Sequence, residues 1–423
     1  MRYDSGVART ISATLLITQS LASAGLIANA TINPIIGEQL SGQAALAGVP
    51  GTLLLLGAAS SAYPAGQFMQ RAGRRPGLAL GFAVGAIGMV IGGAAVVIHS
   101  FLLFLLGLAL IGVSRGAIDQ ARYAAADAQT PERRSRAIAN VVFAGTVGAI
   151  LGPKLVAPLG AMMQQLGLDP LSGSMFGGAA LFAIAAVLIM QFLRPDPRDI
   201  AAHLAQSVGE QPSAPGVAAA ASRSLAELLQ RPTARLAAVA MIFGQGVMVL
   251  VMTVTSLHMH HHGQDLDAIA TVLSSHTLGM FLFSPLVGRL ADRIGRRAVI
   301  EIGSLILMAG CLLAPFSLAT PWIALALYLV GLGWNFCYIG GSSLLTDGLA
   351  GAERSRLQGG ADITVNAASA VGSLGSGFVM AAAGFGTLCV VGLCCALPPL
   401  LLALWQRFTE RGPRSARPAY AKD

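Results

Sequence analysis

Charge is what this sequence has least of. Charged residues fill 11% of its 423 positions while hydrophobic residues fill 55%, against about 25% charged in soluble domains. A soluble fold of this length has no interior large enough to hide that much apolar surface, whereas a lipid-facing fold has no need to hide it. Cysteine is scarce as well. The five present (Cys311, Cys337, Cys389, Cys394 and Cys395) lie in apolar stretches without the spacing of a disulfide framework or a zinc site, so they read as small packing residues. No phosphate-binding loop, ATP motif or nucleophile–base arrangement is present, which argues against an enzyme and against an ATP-driven pump. No feature calls for a cofactor. Glycine, by contrast, is abundant at 51 residues, as expected where helices pack closely inside a bilayer. The formal net charge of +8 does not point to nucleic acid, because the basic residues sit between apolar runs and not on one soluble face.

A membrane crossing takes roughly 20 mostly apolar residues. Twelve such runs lie near 11–33, 44–66, 77–98, 101–121, 137–159, 174–193, 234–256, 267–288, 298–318, 321–343, 358–383 and 386–407. Away from their ends, the charged residues within them are Arg115, Asp119, Lys154, Glu301 and Asp362. Barrel strands would be about 10 residues long and alternate in polarity. These runs are longer and do not alternate, so helices, which satisfy their own backbone groups in lipid, are expected. The first run follows Arg2 and Arg9; it is longer than a signal-peptide core and reads as the first span.

Basic residues set the direction. With both termini in the cytoplasm, 25 of the 27 Lys and Arg fall in predicted cytoplasmic segments, and the other two, Arg115 and Lys154, lie within spans. The predicted external loops hold none. The expected organisation is therefore an all-α membrane protein of twelve transmembrane helices in two pseudo-symmetric six-helix bundles, over 1–193 and 233–407. Between them lies a cytoplasmic linker over 194–232, marked by Pro195, Pro197, Pro212 and Pro215, with a short helix near 222–230; a cytoplasmic tail follows at 408–423.

The two halves echo one another. Gly66-Gln67-Phe68-Met69-Gln70-Arg71-Ala72-Gly73-Arg74-Arg75 follows the second span, and Gly288-Arg289-Leu290-Ala291-Asp292-Arg293-Ile294-Gly295-Arg296-Arg297 follows the eighth, 222 positions on. Glu132-Arg133-Arg134-Ser135-Arg136 is echoed by Glu353-Arg354-Ser355-Arg356 at an offset of 221. Two matches at nearly one offset indicate a duplicated six-helix unit, a known transporter architecture. In these motifs the chain resembles the major facilitator superfamily over nearly its whole length. The signature loop of that family, Gly-x-x-x-Asp-Arg/Lys-x-Gly-Arg-Arg/Lys, is matched in full at 288–297 and, but for Gln70 in place of the acid, at 66–75. The resemblance implies a cytoplasmic latch built on Gly66, Gln70, Arg71, Gly73 and Arg74 in one half and on Gly288, Asp292, Arg293, Gly295 and Arg296 in the other. With Gln70 uncharged, the N-terminal latch is expected to be weaker or to use another acid.

Other residues are singled out by where they fall. Arg115 lies deep in the fourth span, where a charge costs about 2.5–3.5 kcal/mol and usually has a task. It is expected either to meet an anionic substrate group or proton site, or to pair with Asp119 one turn away. Gly145, Gly148, Gly152 and Pro153 resemble the glycine-and-proline motif of family exporters, although Lys154-Leu155 replaces its later glycines. Lys154 reads as snorkelling to the interface or reaching the cavity. In this family the first, fourth, seventh and tenth spans line the cavity. Their polar residues Gln19, Asn29, Gln245, Trp334, Asn335 and Tyr338, with Asn366 in the eleventh, are the substrate-cavity candidates, each also open to a helix–helix hydrogen bond. His276 and Asp362 are lesser candidates. The run His258-Met259-His260-His261-His262 invites a metal reading, but lacks clear partners within the membrane and reads as an exposed polar cap. No metal site is expected.

These features predict a secondary transporter of the bacterial inner membrane, monomeric, moving a small organic solute by alternating access, with proton coupling implied by the family and export slightly favoured. Uptake of a vitamin such as a flavin, or of a metal chelate, is the alternative; a non-transporting receptor or scaffold is the third. Direction is directly testable: reporters placed after residue 297 are expected to read as cytoplasmic and those after residue 263 as external. Labelling of the 289–297 arginines from outside intact cells would overturn both the helix count and the carrier reading.

Overall fold

In the computed structural model, residues 5–129, 134–208, 227, 230–345 and 351–410 are described. They are helical almost throughout, with no strand among them, as expected where lipid offers the backbone no hydrogen-bond partners. Most of the region expected to carry a linker helix (222–230), most of the tail, and Glu132 and Arg133 of the charged echo lie outside the described residues, as do the side chains of Glu353 to Arg356 and Asp362.

The first half contributes spans at Ser5–Ser41, Val49–Ala72 (entered through a turn of 3-10 helix, Ala44–Gly48), Arg74–Val97, Phe101–Ile118 continued by Ala121–Asp127, Arg134–Leu151 with Val156–Gln165, and Ser172–Phe192. A further helix, Pro197–Val208, opens the linker. The second half contributes Pro232–His261, Leu266–Phe281 with Ser284–Ile294, Arg296–Leu313 and Thr320–Leu345, then a long helical stretch over Gly351–Cys395 and Leu397–Glu410. Two spans are interrupted next to proline. Gly152–Leu155 forms a 3-10 turn in the fifth. In the eighth, the break precedes Pro285, whose missing N–H cannot bond the previous turn.

Eleven stretches are long and apolar enough to cross a bilayer, one fewer than the sequence suggests. The difference lies in the last, Ile363–Thr409, which runs 47 residues. As one straight helix it would extend about 70 Å, more than twice the ~30 Å hydrocarbon core. It reverses at Gly384, where φ is 77° and ψ 175°, a conformation open to glycine and strained for other residues. The packing confirms the reversal. Before the break, Gly372 lies against Gly246 and Leu250 of the seventh span; after it, Phe385 stacks on His258 and Gly392 lies against Val251 and Val247. The stretch is two antiparallel spans, which brings the spans among the described residues to twelve.

The duplication is written into the contacts. A Cβ on Gly112 would sit 2.4 Å from the Leu54 carbonyl oxygen, joining the fourth span to the second; one on Gly331 would sit 2.3 Å from the His276 carbonyl oxygen, joining the tenth to the eighth. Gly88 faces Gly107 and Ile111 just as Gly310 faces Ala326 and Val330. Partners in the second and third spans recur 222 residues later, and those in the fourth recur 219 residues later. Close backbone approach at small residues is the main source of helix association in lipid.

The halves meet at the end opposite the arginine-rich loops. Ser373 Oγ donates to the Gly48 carbonyl at 3.0 Å, and Thr52 Oγ1 to that of Ala370 at 3.3 Å, joining the second and eleventh spans. Ser274 Oγ donates to the Ile150 carbonyl at 3.1 Å, joining the eighth and fifth. At the arginine-rich end, a Cβ on Gly288 would meet nothing within 4 Å, and Gln70, Arg71, Asp292 and Arg293 are exposed. The cleft between the halves thus opens toward the arginine-rich side. Gly112→Leu and Gly331→Leu are each expected to destabilise the protein by about 1–3 kcal/mol or more through overpacking. Gly386→Ala, where a Cβ meets nothing within 4 Å, should be neutral; melting temperatures of the purified variants check this.

Candidate functional site

Two helices of the second half present an aromatic wall. Trp334 and Tyr338, one turn apart on the tenth span, stack with centroids 5.0 Å apart and planes at 22°, and Phe281 meets Trp334 edge-on at 6.1 Å. A chain of hydrogen bonds fixes the indole. Trp334 Nε1 donates to Gln245 Oε1 at 2.6 Å, Gln245 Nε2 donates to Ser369 Oγ at 2.9 Å, and Ser369 Oγ donates to the Val365 carbonyl at 3.0 Å. Each donor on this path from the tenth span through the seventh to the eleventh is satisfied, as a polar chain in a low-dielectric setting requires. Tyr338 and Gln245 are half-buried and Trp334 more deeply so.

Arg115 belongs to the same geometry from the other half. It lies 14 residues into the fourth span, as Trp334 does in the tenth, and both are therefore about 21 Å along their helices. The 219-residue offset that superposes Gly112 on Gly331 also carries Arg115 onto Trp334. The exposed side chain of Leu106 lies nine residues away from Arg115, half-way round a helix of about 3.6 residues per turn. The guanidinium thus occupies the face away from that apolar surface. The alternative reading, a pairing with Asp119, is not formed: Asp119 is exposed, and no ion pair joins it to Arg115. Asn366 is exposed one turn before Ala370, on the face that meets the second span nearer the closed end.

Two of the cavity candidates make the helix–helix hydrogen bonds that are their alternative reading. Asn29 is 1% exposed and accepts from Ser174 Oγ at 2.9 Å, linking the first and sixth spans. Asn335 is 2% exposed and donates through Nδ2 to the Met280 carbonyl and Ser284 Oγ, on either side of the break in the eighth span. Both bind neighbouring helices because a primary amide in lipid takes the nearest backbone or hydroxyl partner. Gln19 is half-buried, with its side chain 3.6 Å from where a Cβ of Gly145 would stand. Gly148 and Gly152 press the fifth span onto the first at Ser20 and Ala24, with Pro153 buried beside them. His276 is buried and its Nδ1 bonds the Leu327 carbonyl at 2.9 Å.

The two signature loops differ in their surroundings. Gly73 and Gly295 both have positive φ, 108° and 92°. The loop that lacks its own acid is served by two others. Asp196 accepts from the backbone N–H groups of Arg74 and Arg75 at 3.0 and 2.9 Å, and Asp127 accepts from Arg74 Nε at 2.8 Å. Arg198 Nη1 reaches the carbonyls of Gln70 and Arg71. A carboxylate on exposed N–H groups and a cation on exposed carbonyls complement the helix ends. Sequence reasoning missed Asp127 and Asp196 because they stand far from the loop in the chain; the vacancy at Gln70 was the signal that an acid had to come from elsewhere. In the second half, Asp292, Arg296, Arg297, Glu301 and Arg407 border a cleft of about 440 Å³.

At the closed end, Lys154 has a specific partner. Its Nζ crosses to the other half, 3.2 Å from Asp267 Oδ1 and 2.6 Å from Thr271 Oγ1. His261 Nε2 lies 2.5 Å from Glu38 Oε2, again across the halves. His258 stacks on Phe385 and His262 Nδ1 bonds the His258 carbonyl. Among the described residues, no group of three or more His, Cys, Asp or Glu is placed to hold a metal ion.

A profile of the Major Facilitator Superfamily matches residues 15–264 and 236–422. The uncharacterized MFS-type transporter YdeG of Bacillus subtilis is 35% identical over 394 residues, 92% of this chain and 90% of that protein. The riboflavin transporter RfnT of Brucella anthropi is 31% identical over 410 residues, 95% of this chain and 97% of that protein. Among solved structures, the nucleoside transporter NupG is similar with a TM-score of 0.66 at 19% identity, covering 95% of this chain and 100% of that one. A bacterial homolog of the human lysosomal transporter Spinster, inward-facing and unoccupied, gives 0.67 at 15% identity, covering 96% of each chain. These two likenesses bear on the fold alone. Twelve helices in two duplicated halves, the paired signature loops and the profile that spans them place this chain in the Major Facilitator Superfamily.

Proposed function

We propose that this protein is a secondary carrier of the bacterial inner membrane that moves a small planar organic solute, flavin-like in its ring system, by alternating access. On this reading the arginine-rich face and both termini are cytoplasmic, and the arrangement described above is the inward-open state. The carrier works as a monomer with proton coupling. The observation that carries the reading is the Trp334–Tyr338 stack, held rigid by the Gln245–Ser369 chain. Trp334 is 9% exposed and the half-buried Tyr338 stacks on it; a fixed aromatic surface of this kind, with few polar groups beside it, suits a flat heteroaromatic ring. The riboflavin transporter among its relatives supports the same solute class. Arg115, pseudo-symmetric to Trp334, is the group suited to an anionic or carbonyl-bearing edge of that solute. The lean toward export is not kept, since Gly148 and Gly152 serve helix packing, which any direction of transport needs.

The test is binding and flux of riboflavin by purified protein in proteoliposomes. Riboflavin should raise the melting temperature, because a ligand of the folded state stabilises it. Trp334→Ala should weaken apparent affinity about ten-fold or more while the fold persists, in line with about 1.5–3 kcal/mol for an aromatic contact. A folded protein that neither binds nor moves any member of a panel of planar heteroaromatic solutes would sink the solute class. Asp292→Asn is expected to cut transport several-fold at normal membrane expression; unchanged rates would refute a latch role for that loop.

A further inference from the structure

The closed end is fastened by two cross-half ion pairs of different chemical character. On one side, Lys154 of the fifth span is held by Asp267 and Thr271 of the eighth. On the other, His261 at the end of the seventh span faces Glu38 at the end of the first. Ammonium and carboxylate keep their charges throughout the neutral range, whereas imidazole changes charge between about pH 5 and 8. We propose that the His261–Glu38 contact is a proton-sensitive latch that makes closure of this end depend on the pH of the solution it faces. That this solution is external rests on the inward-open reading above.

The surroundings permit it. His261 and Glu38 are 39% and 24% exposed, so protons reach the pair directly. The first span brings Glu38 and, beside it, Gln39, which donates to Asp169 at 2.9 Å. The seventh span brings His258, His260 and His262, the first occupied by its stack on Phe385 and the last by the His258 carbonyl. The eighth brings Asp265, which caps its own helix at Ala268, and Asp267, held by Lys154. The turn over Ala44–Gly48 brings no ionisable group. Glu38 is thus the carboxylate His261 touches, and opening this end must pull the two apart. The sign follows: protonated His261 attracts Glu38 and favours closure, and the attraction fades as pH rises and the imidazole loses its charge. An exposed pair of this kind shifts a two-state equilibrium by up to about five-fold.

The experiment uses the full chain in nanodiscs, where one buffer bathes both faces. Its native cysteines are replaced, and spin labels sit at Gln43→Cys and Ala319→Cys, exposed sites on the two halves at this end. The ratio of short- to long-distance populations is expected to fall by up to about five-fold between pH 5.5 and 8.5. Glu38→Gln and His261→Gln should each remove that slope, and His261→Lys should hold the end closed at every pH. Lys154→Met should lower the closed fraction equally at each pH and leave the slope. A full slope in Glu38→Gln, or a flat wild-type profile, would overturn the proposal. Because both faces share the buffer, a wrong orientation leaves this result unchanged and shows instead in the reporter fusions.

Discussion

Everything in this protein depends on how closely helix backbones can approach one another in lipid. The bilayer offers no hydrophobic drive for helices to associate, so van der Waals contact at short range must supply it. Gly112 against Leu54 and Gly57, Gly88 against Gly107, and Gly152 against Ala24 bring backbones together at distances that no side chain would allow. The second half repeats the scheme through Gly331, Gly310 and Gly372. Each half is thereby closely knit, which suits the rocking of one half against the other proposed for the carrier.

Between the halves the chemistry changes. The closed end is joined by hydroxyl-to-carbonyl bonds at Thr52, Ser274 and Ser373, and by two exposed ion pairs, with a few glycines such as Gly48 and Gly377 admitting the eleventh span. Exposed pairs contribute at most about 1 kcal/mol each. An interface of this kind can be undone by an equally modest gain elsewhere, which a carrier cycling between two states requires.

The helix count, the duplication and the signature loops were legible in the sequence because each leaves a mark on local composition: apolar length, arginine position, or a motif recurring at a fixed offset. The reversal at Gly384 was legible for the same reason, since no apolar run of 47 residues can cross ~30 Å of hydrocarbon once. Side-chain partners were not legible. Asn29 and Asn335 looked like cavity residues because polarity within a span is visible in sequence while its direction around the helix is not. Lys154 and His261 looked like interface decoration because their partners, Asp267 and Glu38, stand more than 100 residues away. Arg115 gained its place opposite Trp334 only when glycine contacts fixed the offset between the fourth and tenth spans.

The two signature loops carry this asymmetry to the open end. In the first half, Asp127 and Asp196 meet Arg74 and Arg75, and Arg198 covers the end of the second span, so the charges of that loop are largely committed within their own half. In the second half, Asp292 and Arg293 stand exposed on a helix end that nothing crowds at Gly288. On the proposed carrier cycle, the loop with charges to offer when the arginine-rich end closes is the second, and the first is the surface it would meet. An acid at position 70 would compete with Asp127 and Asp196 for Arg74 and Arg75, which are already engaged.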